Sequence, residues 1–276
     1  MKETIEKEWQ AQVSILVFLL LSLWWLINPI VIPLSYKIRF FGDFPSLYGI
    51  MALWGGICGI YISNKWGGIK STMGKVLFVF SLGLFAQEFG QIIYAYFSFY
   101  KHIEVPYPSL GDLGYFGSIP LYIAGVIFLA KAAGADLSLK NFAHRLQAIL
   151  IPLVLLVISY LIFLKGYEFD WSNPLKIFLD FGYPFGQAIY ISLALLTYLL
   201  SRNILGGIMK NKILFILFAL LVQYVSDFTF LYQSSKGTWQ AGGINDYMYL
   251  VSYFLMTLGL LQFNTVLTKL RQAQKN

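Results

Sequence analysis

The sequence predicts an all-α fold: a polytopic membrane bundle of eight transmembrane helices, arranged as two parallel four-helix repeats. Three observations predict it. The 276 residues are 58% hydrophobic and only 12% charged, with a mean hydropathy of +0.67, whereas a soluble domain carries about 25% charged residues. The apolar residues fall into eight windows of spanning length, joined by loops too short for a soluble domain. Polar and glycine positions of the first half recur in order in the second.

The windows run Val13–Leu34, Ser46–Ser63, Val76–Tyr100, Leu113–Ala133, Leu146–Leu164, Ile177–Leu200, Ile213–Tyr232 and Tyr247–Leu267. Each is close to the roughly 20 residues that cross a hydrocarbon core. Met1–Gln10 mixes Lys2 and Lys7 with Glu3, Glu6 and Glu8, and no Ala-x-Ala-like cleavage site follows. The first window therefore reads as a retained span rather than a cleaved signal peptide.

Lys and Arg favour the cytoplasmic side of a membrane. With a cytoplasmic N-terminus, 14 of the 20 basic residues fall inside, which predicts a multi-pass cell-membrane protein with both termini cytoplasmic. The net charge of +7 then reflects loop sidedness, and no nucleic-acid partner is expected. The acids do the reverse: Asp43, Glu104, Asp112, Glu168, Asp170, Asp180 and Asp246 all fall on the outer side. Acids contribute little to orientation, so their clustering needs another explanation.

Residues 1–140 and 141–276 are the two predicted repeats of one integral membrane domain. Phe41-Gly42-Asp43-Phe44 matches Phe178-Leu179-Asp180-Phe181, Gly49 matches Gly186, and Gly67-Gly68-Ile69 matches Gly206-Gly207-Ile208. Lys75, Leu77 and Phe78 match Lys212, Leu214 and Phe215; Gln87 and Gln91 match Gln223 and Asp227. Asp112, Tyr115, Ser118, Leu121 and Gly125 match Asp246, Tyr249, Ser252, Leu255 and Gly259. An even number of spans per copy makes the copies parallel. Gly55-x-x-x-Gly59 allows close helix approach in lipid and reads as packing.

Two acids lie inside spans. Glu88 is 13 residues past Lys75, about 20 Å along a helix in a core of about 30 Å. Asp227 lies at similar depth beyond Lys212. An acid in a span is expensive and marks function, unless it is held by structural bonds such as one from a tyrosine hydroxyl. Gln87 and Gln91 share a helix face, as do Gln223 and Asp227, and Gln187 follows Asp180 by seven residues. Asp112 with Tyr115, and Asp246 with Tyr249 and Tyr253, start their spans on one face each. The expected ligand-binding set is therefore Glu88, Gln91, Asp112, Tyr115, Gln187, Gln223, Asp227, Asp246 and Tyr249, around an acidic, aromatic cavity open to the outer face. Ser109-x-x-Asp112 also reads as a helix-start box, with Gly243 at the matching position before Asp246.

Several chemistries are excluded. Cys58 is alone, and the two histidines, His102 and His144, fall in loops, so no metal-ligand spacing exists. No nucleophile elbow or phosphate-binding glycine loop is present, so neither an enzyme nor a cofactor is expected. Lys269 lies at the edge of the last span, which excludes a retinal lysine.

The stretch Pro106-Tyr107-Pro108-Ser109-x-x-Asp112-x-x-Tyr115, followed by Pro120 and Gly125, resembles a signature of the multi-helix sensory membrane domain found N-terminal to bacterial diguanylate cyclases (GGDEF proteins). It departs at Ile119, where the pattern has an aromatic residue, and no output domain follows. The resemblance implies a free-standing sensory or ligand-binding module that signals through a separate cytoplasmic protein. The alternative is a small proton-coupled transporter, which repeats and intramembrane acids also suit. A lipid-modifying membrane enzyme ranks below both for want of a nucleophile. The lipid bilayer and an unidentified small molecule are the expected partners.

Overall fold

The computed structural model describes residues 1–31, 44–135, 142–201 and 209–273. Among these residues there is no strand. The helices are α1 (Lys2–Lys7), α2 (Trp9–Val31), α3 (Ile50–Lys65, entered through the turn Phe44–Leu47), α4 (Thr72–Ala95), α5 (Gly111–Ala132), α6 (Phe142–Ser159), α7 (Pro174–Ser201), α8 (Lys210–Ser235) and α9 (Ile244–Ala273). Eight of them, α2 to α9, are long and apolar enough to cross a membrane. The sequence windows and these spans correspond one to one. Phe41-Gly42-Asp43 and Gly206-Gly207-Ile208, which carry two of the repeat matches, lie outside the described residues, as does the end of the first window.

Local chemistry sets the helix ends. Gly67 and Gly68, at φ +92° and +56°, turn the chain between α3 and α4 in a conformation that side chains resist. Ser71 then caps α4, its Oγ accepting from the Gly74 N–H at 2.9 Å. At its other end α4 runs into a π-helical turn, Tyr96–Lys101.

Glycines determine how closely the spans meet. In a bilayer, lipid tails are as apolar as leucine, so helix association depends on close packing. Tyr122 lies on Gly83 and Tyr115 on Gly90, where a Cβ would come within 2.4 and 2.7 Å of the rings. Phe80 occupies Gly125 in the same way, at 2.6 Å. The α4–α5 contact is thus a mesh of aromatic rings in glycine notches, and it fixes where Tyr115 sits. Gly55 of α3 receives Thr257 of α9, and Gly59 receives Ser81 of α4.

Within each half of the chain, helices adjacent in sequence pack together, and the halves meet reciprocally: α5 packs on α7, and α9 packs on α3. In each contact the fourth span of one half meets the second span of the other. The most buried span is α9, with 72% of its crossing segment inside the protein, against 6% for α6. The outer face of α6, with Ile149, Leu153, Val157 and Leu161, is left to lipid.

The start of the chain and the last turns of α9 lie at one end of the bundle, here the terminal end; the other is the far end. At the terminal end α1 folds against α9. Glu3 pairs with Lys269 at 2.5 Å and Lys7 at 3.1 Å, and Thr265 donates to Thr4 at 3.2 Å. Asn264 is a hub: its Nδ2 donates to Glu8 at 2.7 Å, and its Oδ1 accepts from Lys65 of α3 at 3.0 Å. Trp66 completes the junction by donating to the Phe263 carbonyl at 3.0 Å.

Lys269, and then Lys7, hold the Glu3 carboxyl below its ordinary pKa. A depressed folded-state pKa adds stability above the unfolded pKa, and that stability is lost as pH falls through the folded value. The tether of α1 should therefore hold near neutral pH, loosen below about pH 4, and weaken with salt. Amide hydrogen exchange of residues 2–7 checks this. Glu3→Gln should abolish the pH dependence, and protection that persists unchanged into acid would contradict the assignment.

Candidate functional site

The far halves of α4, α5, α7, α8 and α9 carry a layer of polar side chains inside an otherwise apolar bundle. Gln87 of α4 is buried and uses both ends of its amide: Nε2 donates to Ser118 at 2.8 Å and Oε1 accepts from the Tyr253 hydroxyl at 3.0 Å. One turn on, Gln91 accepts from Tyr115 at 2.6 Å and donates to the Pro45 carbonyl. The chain of bonds thus runs from α9 through α4 and α5 to the entrance of α3.

A second cluster surrounds Asp227 of α8, 6% exposed. Its carboxylate accepts from Tyr190 of α7 at 2.7 Å and from Gln223 at 3.0 Å. Gln223 in turn accepts from Ser252. Each oxygen of Asp227 therefore has a protein donor, one a tyrosine hydroxyl and one an amide.

The two span starts behave as helix caps with an additional bond. Asp112 takes the Ser109 N–H at 2.7 Å, while Ser109 Oγ accepts from the Gly111 N–H at 3.1 Å. The other Asp112 oxygen accepts from Tyr183 of α7 at 2.7 Å, so this cap also ties the two halves. Asp246 takes the N–H of Gly242 at 2.6 Å rather than that of Gly243. Gly242, at φ +76°, makes the turn that points its N–H back at the carboxylate.

Glu88 differs from all of these. Its Oε2 is buried and accepts no hydrogen bond. It lies over Gly49, where a Cβ would be 2.2 Å from that oxygen. Gly49 also meets the Gln91 side chain, so Glu88 and the Gln91–Tyr115 pair share the entrance to α3. The structure thus links Gln91 with Tyr115 and Gln223 with Asp227, sets Glu88 beside Gln91 at Gly49, and packs Tyr249 on Tyr253, which bonds Gln87; Asp112 and Asp246 cap their own spans. Gln187 is buried on α7 but makes none of these bonds.

Sequence reasoning missed Tyr183, Tyr190 and Tyr48. Tyr183 and Tyr190 flank Gln187 at spacings of four and three on α7, the pattern of a single helix face, so that signal was available. Tyr48, 4% exposed, sits one residue before Gly49 in a short turn with no helical period to reveal it. At the rim, Asp180 collects Tyr107 at 2.8 Å, Tyr167 at 2.6 Å and Lys176 at 2.7 Å. The bond to Asp180 raises the Tyr167 pKa above its ordinary value.

Positions matched in sequence are also matched in bonding. Gln87 with Ser118 corresponds to Gln223 with Ser252. The caps of Asp112 and Asp246 correspond as well. Two clefts of about 450 and 440 Å³ lie elsewhere, one apolar along Phe178, Phe181 and Phe185 and one beside Gly67 and Lys70. Comparison with family models, characterised proteins and solved structures found no match.

The contrast between the two intramembrane acids is measurable. Asp227→Ala strands two buried donors, at about 1–3 kcal/mol each, so unfolding free energy should fall by about 2 kcal/mol or more. Glu88→Gln breaks no protein bond and should cost less than about 1 kcal/mol. Reversible unfolding in bilayer nanodiscs checks the pair, and equal losses would contradict the assignment.

Proposed function

We propose that the chain is a sensory, ligand-binding protein of a cytoplasmic membrane, with both termini inside. It binds a small molecule at the outer polar layer and passes the change to a separate cytoplasmic protein. The observation that carries this reading is α9. Its outer end bears Asp246, Tyr249 and Tyr253; its inner end bears Asn264, Thr265 and Lys269, which hold α1 and α3. One helix of 30 residues, about 45 Å long, joins the two. A displacement of its outer end is carried to the contacts of its inner end.

The chain is further read as a duplicated four-span unit, residues 1–140 and 141–276. The matched bonds and the reciprocal packing of α5 on α7 and α9 on α3 support that reading. The polar layer then lies where the two units meet, the usual place for a ligand site in a repeat protein. The resemblance of Pro106 to Gly125 to sensory membrane domains points the same way. On the inner side, α9 is buried without interruption from Met256 to Val266, which favours sensing over proton-coupled transport.

Thermal stability of the purified protein in nanodiscs, screened against amines, sugars and lipids, tests the reading. At least one class should raise the unfolding temperature, and Asp112→Asn should reduce the shift. The same ligand should alter hydrogen exchange in α1. A complete absence of ligand-dependent stabilisation would overturn it.

A further inference from the structure

At the terminal end, apart from the polar layer of the far end, we infer a binding site for an anionic phospholipid. Its head group sits in the cleft at the α3–α4 turn beside Lys70, and its acyl chains follow α3 and α4.

The cleft has a volume of about 440 Å³, and its lining is amphipathic. Asn64, Gly67, Gly68 and Lys70 form its polar part, at the turn itself. Ile69, 64% exposed, and Phe78 form its apolar part. Phe78 stands six residues past Thr72, the start of α4, about 9 Å into the span. On α3, Ile50, Ile57, Tyr61 and Asn64 are exposed at spacings of seven, four and three, which is one helix face. An apolar stripe at acyl-chain depth therefore leads up to the polar part of the cleft. A phospholipid at the membrane boundary has the same order of polarity.

Charge selects the head group. None of the ion pairs among the described residues involves Lys65, Lys70 or Lys75. Lys65 lies 4.3 Å from the centre of the Tyr61 ring and donates to the neutral Asn264 amide. Arg271 of α9 reaches the Lys65 carbonyl at 3.4 Å, which adds a third cation beside the turn. The acids of this end are engaged at α1: Glu3 with Lys7 and Lys269, Glu6 with Lys2, and Glu8 with Asn264. Eight alternating spans put the α5–α6 and α7–α8 connections at the same end. Outside α1 and Lys269, the segments of this end hold eleven Lys and Arg against one acidic side chain, Asp136. That excess is a property of the sequence, so no arrangement of the chain cancels it. Basic clefts between spans at a membrane surface attract anionic head groups. A free phosphate would meet the same ammonium and gain nothing from Phe78 or the α3 stripe, so the apolar half of the cleft favours a lipid.

The test titrates phosphatidylglycerol into the full chain in detergent micelles. Phosphatidylcholine with the same acyl chains and glycerol phosphate are the comparisons. Native mass spectrometry counts bound lipid, and thermal unfolding reports stabilisation. Phosphatidylglycerol should bind saturably and raise the unfolding temperature; phosphatidylcholine and glycerol phosphate should not. Lys70→Gln should weaken phosphatidylglycerol binding about fivefold, the equivalent of about 1 kcal/mol for one basic residue at a membrane surface. Asn64→Asp, which puts a negative charge in the cleft, should weaken it further. Lys131→Gln, at the same end but outside the cleft, should leave binding within about twofold. Undiminished binding in Lys70→Gln would overturn the inference, as would an equal loss in Lys131→Gln, which assigns binding to the overall charge of this end. An equal response to phosphatidylcholine or to glycerol phosphate would overturn it too. Any of these outcomes leaves the ligand-binding reading of the far end standing.

Discussion

The amide of Gln87 is the point on which the bundle turns. It sits in the hydrocarbon-spanning part of α4, where water cannot complete its bonding. An unpaired amide there costs several kcal/mol. Ser118 on one side and Tyr253 on the other satisfy it, and Tyr253 belongs to the opposite half of the chain. A local requirement for hydrogen bonding thus becomes a contact between halves. The same logic extends through Gln91 and Tyr115, and across to Asp227, where two donors replace water around a carboxylate.

Such bonds need backbones close enough to deliver the side chains. The glycine notches of α4 and α5 provide this. Gly90 lets the Tyr115 ring lie flat against α4, so that its hydroxyl reaches Gln91 one residue away. Gly49 leaves space for Glu88 at the entrance to α3. The small residues set the distances, and the amides, tyrosines and acids fill them. At the terminal end the arrangement is cheaper and looser, built from exposed ion pairs around Glu3 and one buried hub, Asn264. The helix α9 joins a hydrogen-bonded far end to a terminal end held in part by exposed ion pairs.

Much of this was legible in the sequence. Composition and window length identify all eight spans, because crossing a bilayer imposes a length and a polarity on each. That Gln223 can reach Asp227 was implicit in their spacing of four; that Gln87 meets Ser118 and Gln223 meets Ser252 was not, since matched positions state no contact. Whether an acid is saturated was not legible. Glu88 and Asp227 look alike in a hydropathy profile, and only the tyrosines of other helices distinguish them. Tyr190 and Tyr183 come from α7, and no local pattern states which face of α7 meets α8 or α5. The cap of Asp246 shifted to Gly242 for a similar reason: a left-handed glycine turn is decided by backbone geometry, and two consecutive glycines offered the choice.

The central claim is that polar bonds across the layer bind the two halves into one unit. A double-mutant cycle between Gln87→Ala and Tyr253→Phe, measured by reversible unfolding in nanodiscs, tests it most directly. The account predicts a coupling energy of about 1 kcal/mol, with Tyr253→Phe nearly silent once Gln87 is removed. Strict additivity of the two substitutions would contradict it.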